Sequence, residues 1–183
     1  MRQTRDEWAL QLASITSNRS TCCRRNVGCI LVNSRGHVIA TGYNGVASGL
    51  PHCNEESKCS GANAKSGTDL DGCQAIHAEQ NALLQCKDVY DIDTCYVTTC
   101  PCITCLKLLL NTSCKRIVYI ESYCNDESLK LWEAAGRAHL QVIGRWDAVR
   151  SGDSESLEEL NAEAKKVVDR MSNARKLGSS FKG

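Results

Sequence analysis

The chain has 183 residues, a length that suits one domain with a proper hydrophobic core. A formal net charge of +1 removes the bulk electrostatic argument for a nucleic-acid partner, although a local basic cluster remains at Arg19, Arg24 and Arg25. The N-terminal region is charged and lacks the apolar run of a signal peptide, and no segment has the length of a membrane span. The 13 cysteines therefore favour reduced or metal-bound thiols in a cytoplasmic protein over a disulfide scaffold.

The first quarter of the chain predicts a helix followed by a hairpin. Trp8, Leu12 and Ile15 recur at helical spacing, which indicates an amphipathic helix over residues 3–18. Two strand-like segments then flank the turn-rich tetrapeptide 33–36. These strands are predicted over residues 27–32 and 37–43.

The second half alternates strands and helices. The β-rich residues 95–99 lead straight into Pro101, a residue that suits the first turn of a helix. A strand over 116–120, a helix over 126–136 and a short strand over 140–143 follow. The order predicts an α/β fold, with a sheet that is antiparallel at its start, parallel afterwards and covered by helices.

Two regions interrupt this alternation. Residues 46–75 are rich in Gly, Ser, Asn and Asp, and they form a connection too long to be ordinary. This loop is either disordered or ordered by something else, such as a metal bound to its cysteines. Residues 147–183 hold a second interruption, in which Ser156 and Glu159 resemble a capping box. A helical stripe follows, formed by Leu157, Leu160, Ala164, Val167 and Met171. That helix either packs on its own domain or contacts another subunit, and the residues from 172 onward predict a frayed tail.

The most informative residues are three potential zinc ligands, His77, Cys102 and Cys105. A catalytic zinc takes three protein ligands and keeps one position open for water, and one imidazole with two thiolates is a suitable set. Both cysteines are predicted to project from one face of a helix start, where the positive end of the helix favours thiolates. His77 precedes a run of helix-forming residues, so a second helix N-terminus is predicted to face the same metal.

Glu79 supplies the proton-transfer group that this chemistry needs. It follows His77 by two residues, too close to share the metal comfortably but well placed to take a proton from the water. A His-x-Glu motif followed about twenty residues later by Pro-Cys-x-x-Cys is the pattern of zinc deaminases. The pattern predicts hydrolytic removal of an amino group from a nucleobase. A closed zinc knuckle or reduced core thiols would require neither Glu79 nor Pro101.

With these motifs the chain resembles the deoxycytidylate (dCMP) deaminases of the cytidine and deoxycytidylate deaminase superfamily, over about residues 4–145. Further resembling stretches are Ser20-Thr21-Cys22 with Val27-Gly28, Gly42-Tyr43-Asn44-Gly45, Tyr96-Val97-Thr98 and Glu121-Ser122-Tyr123. The resemblance implies a three-layer cytidine-deaminase-like fold with a five-stranded mixed sheet. Together with the sequence pattern after residue 147, it predicts a deaminase domain over residues 1–147 and a C-terminal helix and tail over residues 148–183.

The resemblance implies an activity as well. Members convert dCMP to dUMP, which supplies dTMP synthesis, and they usually form homo-oligomers, commonly hexamers. Many are activated by dCTP and inhibited by dTTP, with Mg²⁺ accompanying the effector nucleotide. By position, Asn44 would contact the deoxyribose, Tyr123 would lie near the substrate phosphate and Ala78 would offer a backbone contact to the base. Arg24, Arg25, Gly42 and Tyr43 fall where allosteric members bind the effector.

Some members hold a second, structural zinc, for which Cys22, Cys53, Cys59 and Cys73 are the matching candidates. Other members use a histidine and an acidic residue for two of these ligands, the acid lying two residues before the catalytic histidine. This chain has Ala75 there, which favours four cysteines, with His52 or Cys23 as substitutes. A bound zinc would explain how a loop without apolar residues stays folded.

The substrate is less constrained than the reaction. The same zinc chemistry could act on a tRNA or DNA base, on free cytidine or on a modified dCMP, and a catalytically silent nucleotide-binding protein is a further alternative. The near-neutral charge and residues 42–45 argue against nucleic acid, and the intact Glu79 argues against a silent protein.

Overall fold

The computed structural model describes residues 2–53, 58–64, 72–121, 126–137 and 140–142. The helices are α1 (Arg5–Ser17), α2 (Ala78–Gln85), α3 (Ile103–Leu110) and α4 (Asp126–Ala134), with a short 3₁₀ helix at Ser60–Asn63. The strands are β1 (Gly28–Val32), β2 (Val38–Tyr43), β3 (Gly45–Val46), β4 (Ala75–Ile76), β5 (Thr94–Thr99), β6 (Arg116–Glu121) and β7 (Leu140–Val142). Among the described residues, no helix combines the length and apolar character needed to cross a membrane.

The main sheet has the strand order β2-β1-β5-β6-β7. β1 is antiparallel to both β2 and β5, whereas β5, β6 and β7 are parallel to one another. β7 is the shortest strand of this sheet, with three residues. The predicted α/β architecture, with a mixed sheet and covering helices, is confirmed.

Helices cover both faces of the sheet. One apolar cluster joins the sheet to α2, α3 and α4, and it contains the fully buried Trp132 together with the core thiols of Cys29, Cys95 and Cys114. The other cluster packs α1 against the opposite face. The helices that begin at His77 and Cys102 therefore share one face of the sheet.

The face of α1 that contacts the sheet differs from the predicted one. Trp8 and Ile15 are 39% and 66% exposed, so the predicted stripe of large apolar residues is wrong at these two positions, although Leu12 is partly buried against the core. Close packing explains why small residues of α1 face the sheet, because a Cβ on Gly28 would lie only 2.0 Å from the Ala13 carbonyl oxygen. A helix that approaches a strand so closely must present small side chains. The buried residues of α1 are Ala9, Leu10, Ala13 and Ser17.

The long connection after β2 contains short elements that the sequence did not predict. β3 and β4 pair antiparallel, with Gly45 opposite Ile76 and Val46 opposite Ala75, so the two ends of the connection are tied together. The 3₁₀ helix lies between them, and Gly61 N–H donates to the Gly72 carbonyl at 2.8 Å. The predicted C-terminal helix and tail lie outside the described residues.

Candidate active site

Strand ends and connecting segments meet at one edge of the main sheet. The start of β1 lies beside the end of β2, since Gly28 pairs with Tyr43, and the end of β5 lies beside the end of β6, since Thr99 pairs with Glu121. The carboxyl ends of parallel strands are where open α/β sheets usually place their sites. The predicted functional residues come from the segments that leave this edge.

α2 is brought to this edge by a close contact with β2. A Cβ on Gly42 would lie 2.2 Å from the Ala78 carbonyl oxygen, so only glycine allows the first turn of α2 to approach so closely. The Asn81 side-chain Nδ2 also donates to the Tyr43 carbonyl at 2.7 Å. His77 is the N-cap of α2, and its N–H donates to Gln80 Oε1 at 2.8 Å. These contacts fix the start of α2 relative to the sheet.

α3 begins at the same edge. Cys102 is its N-cap and Cys105 lies in its first turn, so both sulfurs belong to one helix start. Pro101 precedes the N-cap instead of lying in the first turn, a shift of about one residue from the prediction. The Cys100 N–H donates to the Glu121 carbonyl at 3.0 Å, which ties the segment before α3 to the end of β6.

The two helix starts bring three ligand atoms together. His77 Nδ1 lies 3.4 Å from Cys102 Sγ and 3.4 Å from Cys105 Sγ. All three ligand atoms lie within 4.8 Å of one another, and this is the one such group among the residues the structure describes. The geometry suits a metal ion held between two helix N-termini.

Glu79 lies beside this group and is buried. It is only 4% exposed, and its carboxylate hydrogen-bonds to Cys105. Burial raises the pKa of Glu79 from 4.5 to about 7. A carboxyl group whose pKa is near neutral can both accept and return a proton, which is the property expected of a general acid and base.

The cysteine pair shares one negative charge. Hydrogen bonding from Cys105 lowers the pKa of Cys102 to about 4, and the same interaction raises the pKa of Cys105. The hydrogen bond with Cys102 also raises the pKa of His77, despite partial burial of the ring. A metal cation at this position would stabilise both sulfurs as thiolates.

Asn44 organises the segment that precedes β1. Its Oδ1 accepts hydrogen bonds from Ser20 Oγ at 2.7 Å and from the Val27 N–H at 2.8 Å, and its Nδ2 donates to the Arg25 carbonyl at 2.8 Å. An amide oxygen has two lone pairs and an amide nitrogen two N–H groups. Among the described residues, these contacts use both lone pairs of Oδ1 and one of the two Nδ2 N–H groups.

Arg25 extends across the same edge of the sheet. Its Nη2 lies 3.4 Å from Glu121 Oε2, at the end of β6. The predicted effector residues Gly42 and Tyr43 have internal roles here, in the packing and hydrogen bonding of α2. Tyr123, predicted near the substrate phosphate, lies outside the described residues.

The thiols of the long connection form a separate cluster. Cys53 Sγ lies 3.3 Å from Cys23 Sγ and 3.8 Å from Cys59 Sγ. Cys59 is the N-cap of the 3₁₀ helix, and a Cβ on Gly61 of that helix would lie 2.7 Å from the Cys73 backbone nitrogen. Cys53 therefore contacts Cys59, a member of the proposed four-cysteine set, and Cys23, one of the two substitutes named for that set.

Comparison with known proteins identifies the family. The model of the cytidine and deoxycytidylate deaminase zinc-binding region matches residues 3–121, which include all three clustered ligands and Glu79. The chain belongs to the cytidine and deoxycytidylate deaminase family. Within this family it is 40% identical over 143 residues to deoxycytidylate deaminase of Schizosaccharomyces pombe, and 39% identical over 139 residues to that of Saccharomyces cerevisiae.

Coverage differs among these relatives. The matches take in 75% and 74% of this chain but only 44% of each yeast protein, so the chain spans less than half the length of these relatives. A solved dCMP deaminase of cyanophage S-TIM5, in complex with dCMP and dUMP, is 28% identical with a TM-score of 0.58. That alignment covers 79% of this chain and 98% of the phage protein.

The clustered ligands fit the zinc ion that the family binds. With Zn–S bonds of about 2.3 Å and Zn–N bonds of about 2.0 Å, a tetrahedral zinc separates sulfur from nitrogen by about 3.5 Å. The separations of 3.4 Å between His77 Nδ1 and the two sulfurs agree with this value. One imidazole and two thiolates leave the fourth position open, as in catalytic zinc sites.

Two positioning residues were missed by sequence reasoning. Gln80 fixes the N–H of His77, and Ser20 holds the amide oxygen of Asn44. A glutamine three residues after an N-cap is a capping-box signal, so Gln80 could have been found from the sequence. The partner of Ser20 lies 24 residues away, and no local pattern indicates that contact.

Proposed function

We propose that this chain hydrolyses dCMP to dUMP and ammonia. The observation that carries the proposal is the buried Glu79 beside His77, Cys102 and Cys105, whose ligand atoms lie within 4.8 Å of one another. Similarity to deoxycytidylate deaminases, including the phage enzyme in complex with dCMP and dUMP, supports dCMP as the substrate. The product would feed dTMP synthesis.

Each residue of the site has a role in this reaction. His77, Cys102 and Cys105 would hold the zinc, which, when bound, acts as a Lewis acid and makes a water nucleophilic at neutral pH. Glu79 would take one proton from the attacking water and deliver it to N3 of the cytosine as the C4–O bond forms. It would then move the second proton, from the new C4 hydroxyl, to the amino group, which leaves as ammonia when the C4–N bond breaks. The buried position of Glu79 keeps bulk water from competing for this proton.

Substrate orientation is assigned to neighbouring groups. Ala78 is the first residue of α2, where a backbone N–H has no acceptor within the helix and is available to the base. Asn44 offers its remaining Nδ2 N–H to the deoxyribose. Tyr123 is proposed near the phosphate on the resemblance alone.

A substrate panel tests the proposal. Ammonia release is measured with dCMP, cytidine, a 5-substituted dCMP and a short cytosine-containing oligonucleotide. We expect dCMP to give the highest kcat/KM. Turnover of the oligonucleotide but not of dCMP would replace this function with nucleic-acid editing, and zinc-loaded protein without activity on any of them would indicate a silent family member.

A second zinc in the long connection is a further part of the proposal. Its supporting observation is the contact of Cys53 with Cys23 and Cys59. The fourth ligand would come from Cys22 or Cys73, the other members of the set proposed from the resemblance. A zinc bound by thiolates stabilises a fold that lacks apolar residues of its own.

Metal analysis of cysteine variants tests this second site. The wild-type chain should contain two zinc ions, and Cys53→Ser should contain one and unfold at a lower temperature. Cys86→Ser serves as the control, because that half-buried thiol lies at the end of α2 and hydrogen-bonds to the Asp88 carbonyl. One zinc per wild-type chain, with Cys53→Ser as stable as the control, would contradict a second site.

Regulation by nucleotides rests on the resemblance. We assign dCTP activation and dTTP inhibition, with Mg²⁺, to a site that includes Arg24 and Arg25 and lies near Gly42 and Tyr43. Rate measurements at subsaturating dCMP with each triphosphate test this assignment. Rates that do not respond to either triphosphate would remove it.

Assembly is likewise proposed, with a hexamer favoured. The supporting observation is that several helices carry exposed large apolar side chains, including Ile15 on α1 and Leu84 on α2, which are 66% and 76% exposed. Light scattering on the purified chain measures the subunit number, and a monomer at micromolar concentration would contradict the proposal.

A cytoplasmic location stays a prediction.

A further inference from the structure

Asn81 joins the helix that begins at His77 to the strand end that precedes the proposed sugar contact. It lies one turn after His77, and its backbone N–H donates to the His77 carbonyl at 2.9 Å. Its half-buried side chain reaches away from the helix, and Nδ2 donates to the carbonyl of Tyr43, the last residue of β2, at 2.7 Å. Asn44 follows Tyr43 directly in the chain. Asn81 therefore lies between the proposed zinc ligand and the residue assigned to the deoxyribose.

Both chain neighbours of Asn44 are tied to the start of α2. On one side Gly45 pairs with Ile76, the residue just before the helix N-cap. On the other side the Tyr43 carbonyl accepts the hydrogen bond from Asn81. The first tie is made by backbone groups and the second by a side chain, so a single substitution can remove the second and leave the first in place.

The hydrogen bond constrains α2 in a direction that packing does not. Contact with Gly42 sets how closely α2 approaches β2, because a Cβ there would lie 2.2 Å from a backbone oxygen of the helix. Such a contact limits the distance between the two elements but constrains sliding along the strand less. A hydrogen bond weakens steeply as its angle departs from the preferred range. The bond from Asn81 to Tyr43 therefore fixes the position of α2 along the end of β2.

We propose that Asn81 is a positioning residue that sets the distance between the sugar contact at Asn44 and the reacting groups at His77 and Glu79. It acts through the Tyr43 carbonyl. The proposal rests on the proposed dCMP deaminase function and on the assignment of Asn44 to the deoxyribose. It predicts that the contribution of the sugar to catalysis depends on a residue of the metal-binding helix.

The test removes the hydrogen bond from the protein and the sugar hydroxyl from the substrate. The free hydroxyl of the dCMP sugar is absent from dideoxycytidine monophosphate, so wild type should turn over dCMP with the higher kcat/KM. Asn81→Leu keeps the approximate size of the side chain without its N–H donor. It should lower kcat/KM for dCMP about 10-fold, the effect of losing about one hydrogen bond. The value for the dideoxy nucleotide should change less than about 2-fold, because that substrate cannot use the sugar contact.

Gln85→Leu is the matched control, because it makes the same substitution at an exposed residue of the same helix. It should leave both substrates unaffected. Asn81→Asp also lacks the N–H donor but stays polar, and it should lose the same preference while both Asn81 variants keep the zinc content of wild type. An equal loss on the two substrates would mean that Asn81 only supports the fold of α2. That result, or an unchanged preference for dCMP, overturns the proposal.

Direct binding separates this proposal from the proposed function. Calorimetric titration of the zinc-loaded protein should show tighter binding of dCMP than of the dideoxy nucleotide, and Asn81→Leu should reduce the difference. Absence of turnover by the wild-type chain would contradict the deaminase function alone, since the binding comparison still tests Asn81. Equal affinity of wild type for the two nucleotides, or the same difference in wild type and Asn81→Leu, would contradict the role of Asn81.

Discussion

At the residue scale, Asp6 connects α1 to the sheet through a partly buried polar cluster. Arg116 Nη1 donates to Asp6 Oδ1 at 2.9 Å, and the Tyr96 hydroxyl donates to the same oxygen at 2.6 Å. Burial opposes ionisation of Asp6, but the hydrogen bonds from Arg116 and Tyr96 outweigh it, so the pKa of Asp6 is lowered. The ionised carboxylate therefore stabilises the folded chain.

This cluster predicts a loss of stability in acid. Because the folded pKa of Asp6 lies below its unfolded value near 3.9, the stabilisation is present above about pH 4 and is lost as the pH falls through the folded pKa. Asp6→Asn should lower the free energy of unfolding by about 1–2 kcal/mol at pH 7, and the difference from wild type should shrink below about pH 4.

Denaturant unfolding at several pH values measures this difference. Glu127→Gln, at an exposed carboxylate on α4, is the control and should change stability by less than about 0.5 kcal/mol. A stability difference between Asp6→Asn and wild type that is constant from pH 7 to pH 2 would contradict the role of the ionised carboxylate.

Single residues of the site differed in how far the sequence could predict them. His77, Cys102 and Cys105 follow from chemistry and spacing, and the structure brings their ligand atoms together. The internal contacts of Asn44 did not follow, because they join segments about twenty residues apart through backbone groups. The spacing of residue types predicts which side chains can bind a metal. It does not predict which backbone groups a side chain will hydrogen-bond to, because these depend on the folded path of the chain.

At the element scale, the position of α2 depends on Gly42. Besides approaching the Ala78 carbonyl, a Cβ at this position would lie 2.4 Å from the Ala82 backbone nitrogen. Backbone atoms cannot move aside as a flexible side chain can. α2 would have to shift away from β2, together with His77 and Glu79.

Gly42→Ala should therefore weaken both stability and activity. We expect a loss of about 1–3 kcal/mol in unfolding free energy, the usual cost of overpacking, and lower zinc content or turnover because His77 and Glu79 are displaced. Thermal unfolding and metal analysis measure these changes. Thr41→Ala changes an exposed neighbour on β2 and should have little effect. Wild-type stability and turnover in Gly42→Ala would show that α2 tolerates the Cβ.

The elements themselves were predicted more closely than their packing. Within the described residues, the predicted strands and helices agree with the observed bounds to within about two residues, because alternation and turn residues are local signals. The buried face of α1 was predicted wrongly from its large apolar residues. Because α1 approaches Gly28 closely, its buried face carries the small residue Ala13 at the point of contact. That long-range contact leaves no periodic signal in the sequence.

At the scale of the whole molecule, the fold places two helix N-termini at one edge of a mixed sheet. β5 and β6 are parallel, so the chain leaves both at the edge where α3 begins, and Gly42 brings the start of α2 to the same edge. The proposed zinc ligands and Glu79 come from these two helix starts. In the described parts of the long connection, the pairing of β3 with β4 was not predicted, whereas the contact of Cys53 with Cys59 joins two cysteines that the resemblance indicated as metal ligands.

The central claim is that Glu79, next to a zinc held by His77, Cys102 and Cys105, carries the proton in deamination of dCMP. The most direct measurement is conversion of dCMP to dUMP by wild type and Glu79→Gln, with zinc content and dCMP affinity determined on both. We expect Glu79→Gln to keep its zinc and bind dCMP while turnover falls at least about 100-fold. A zinc-loaded Glu79→Gln variant that retains more than about a tenth of wild-type turnover would contradict the account.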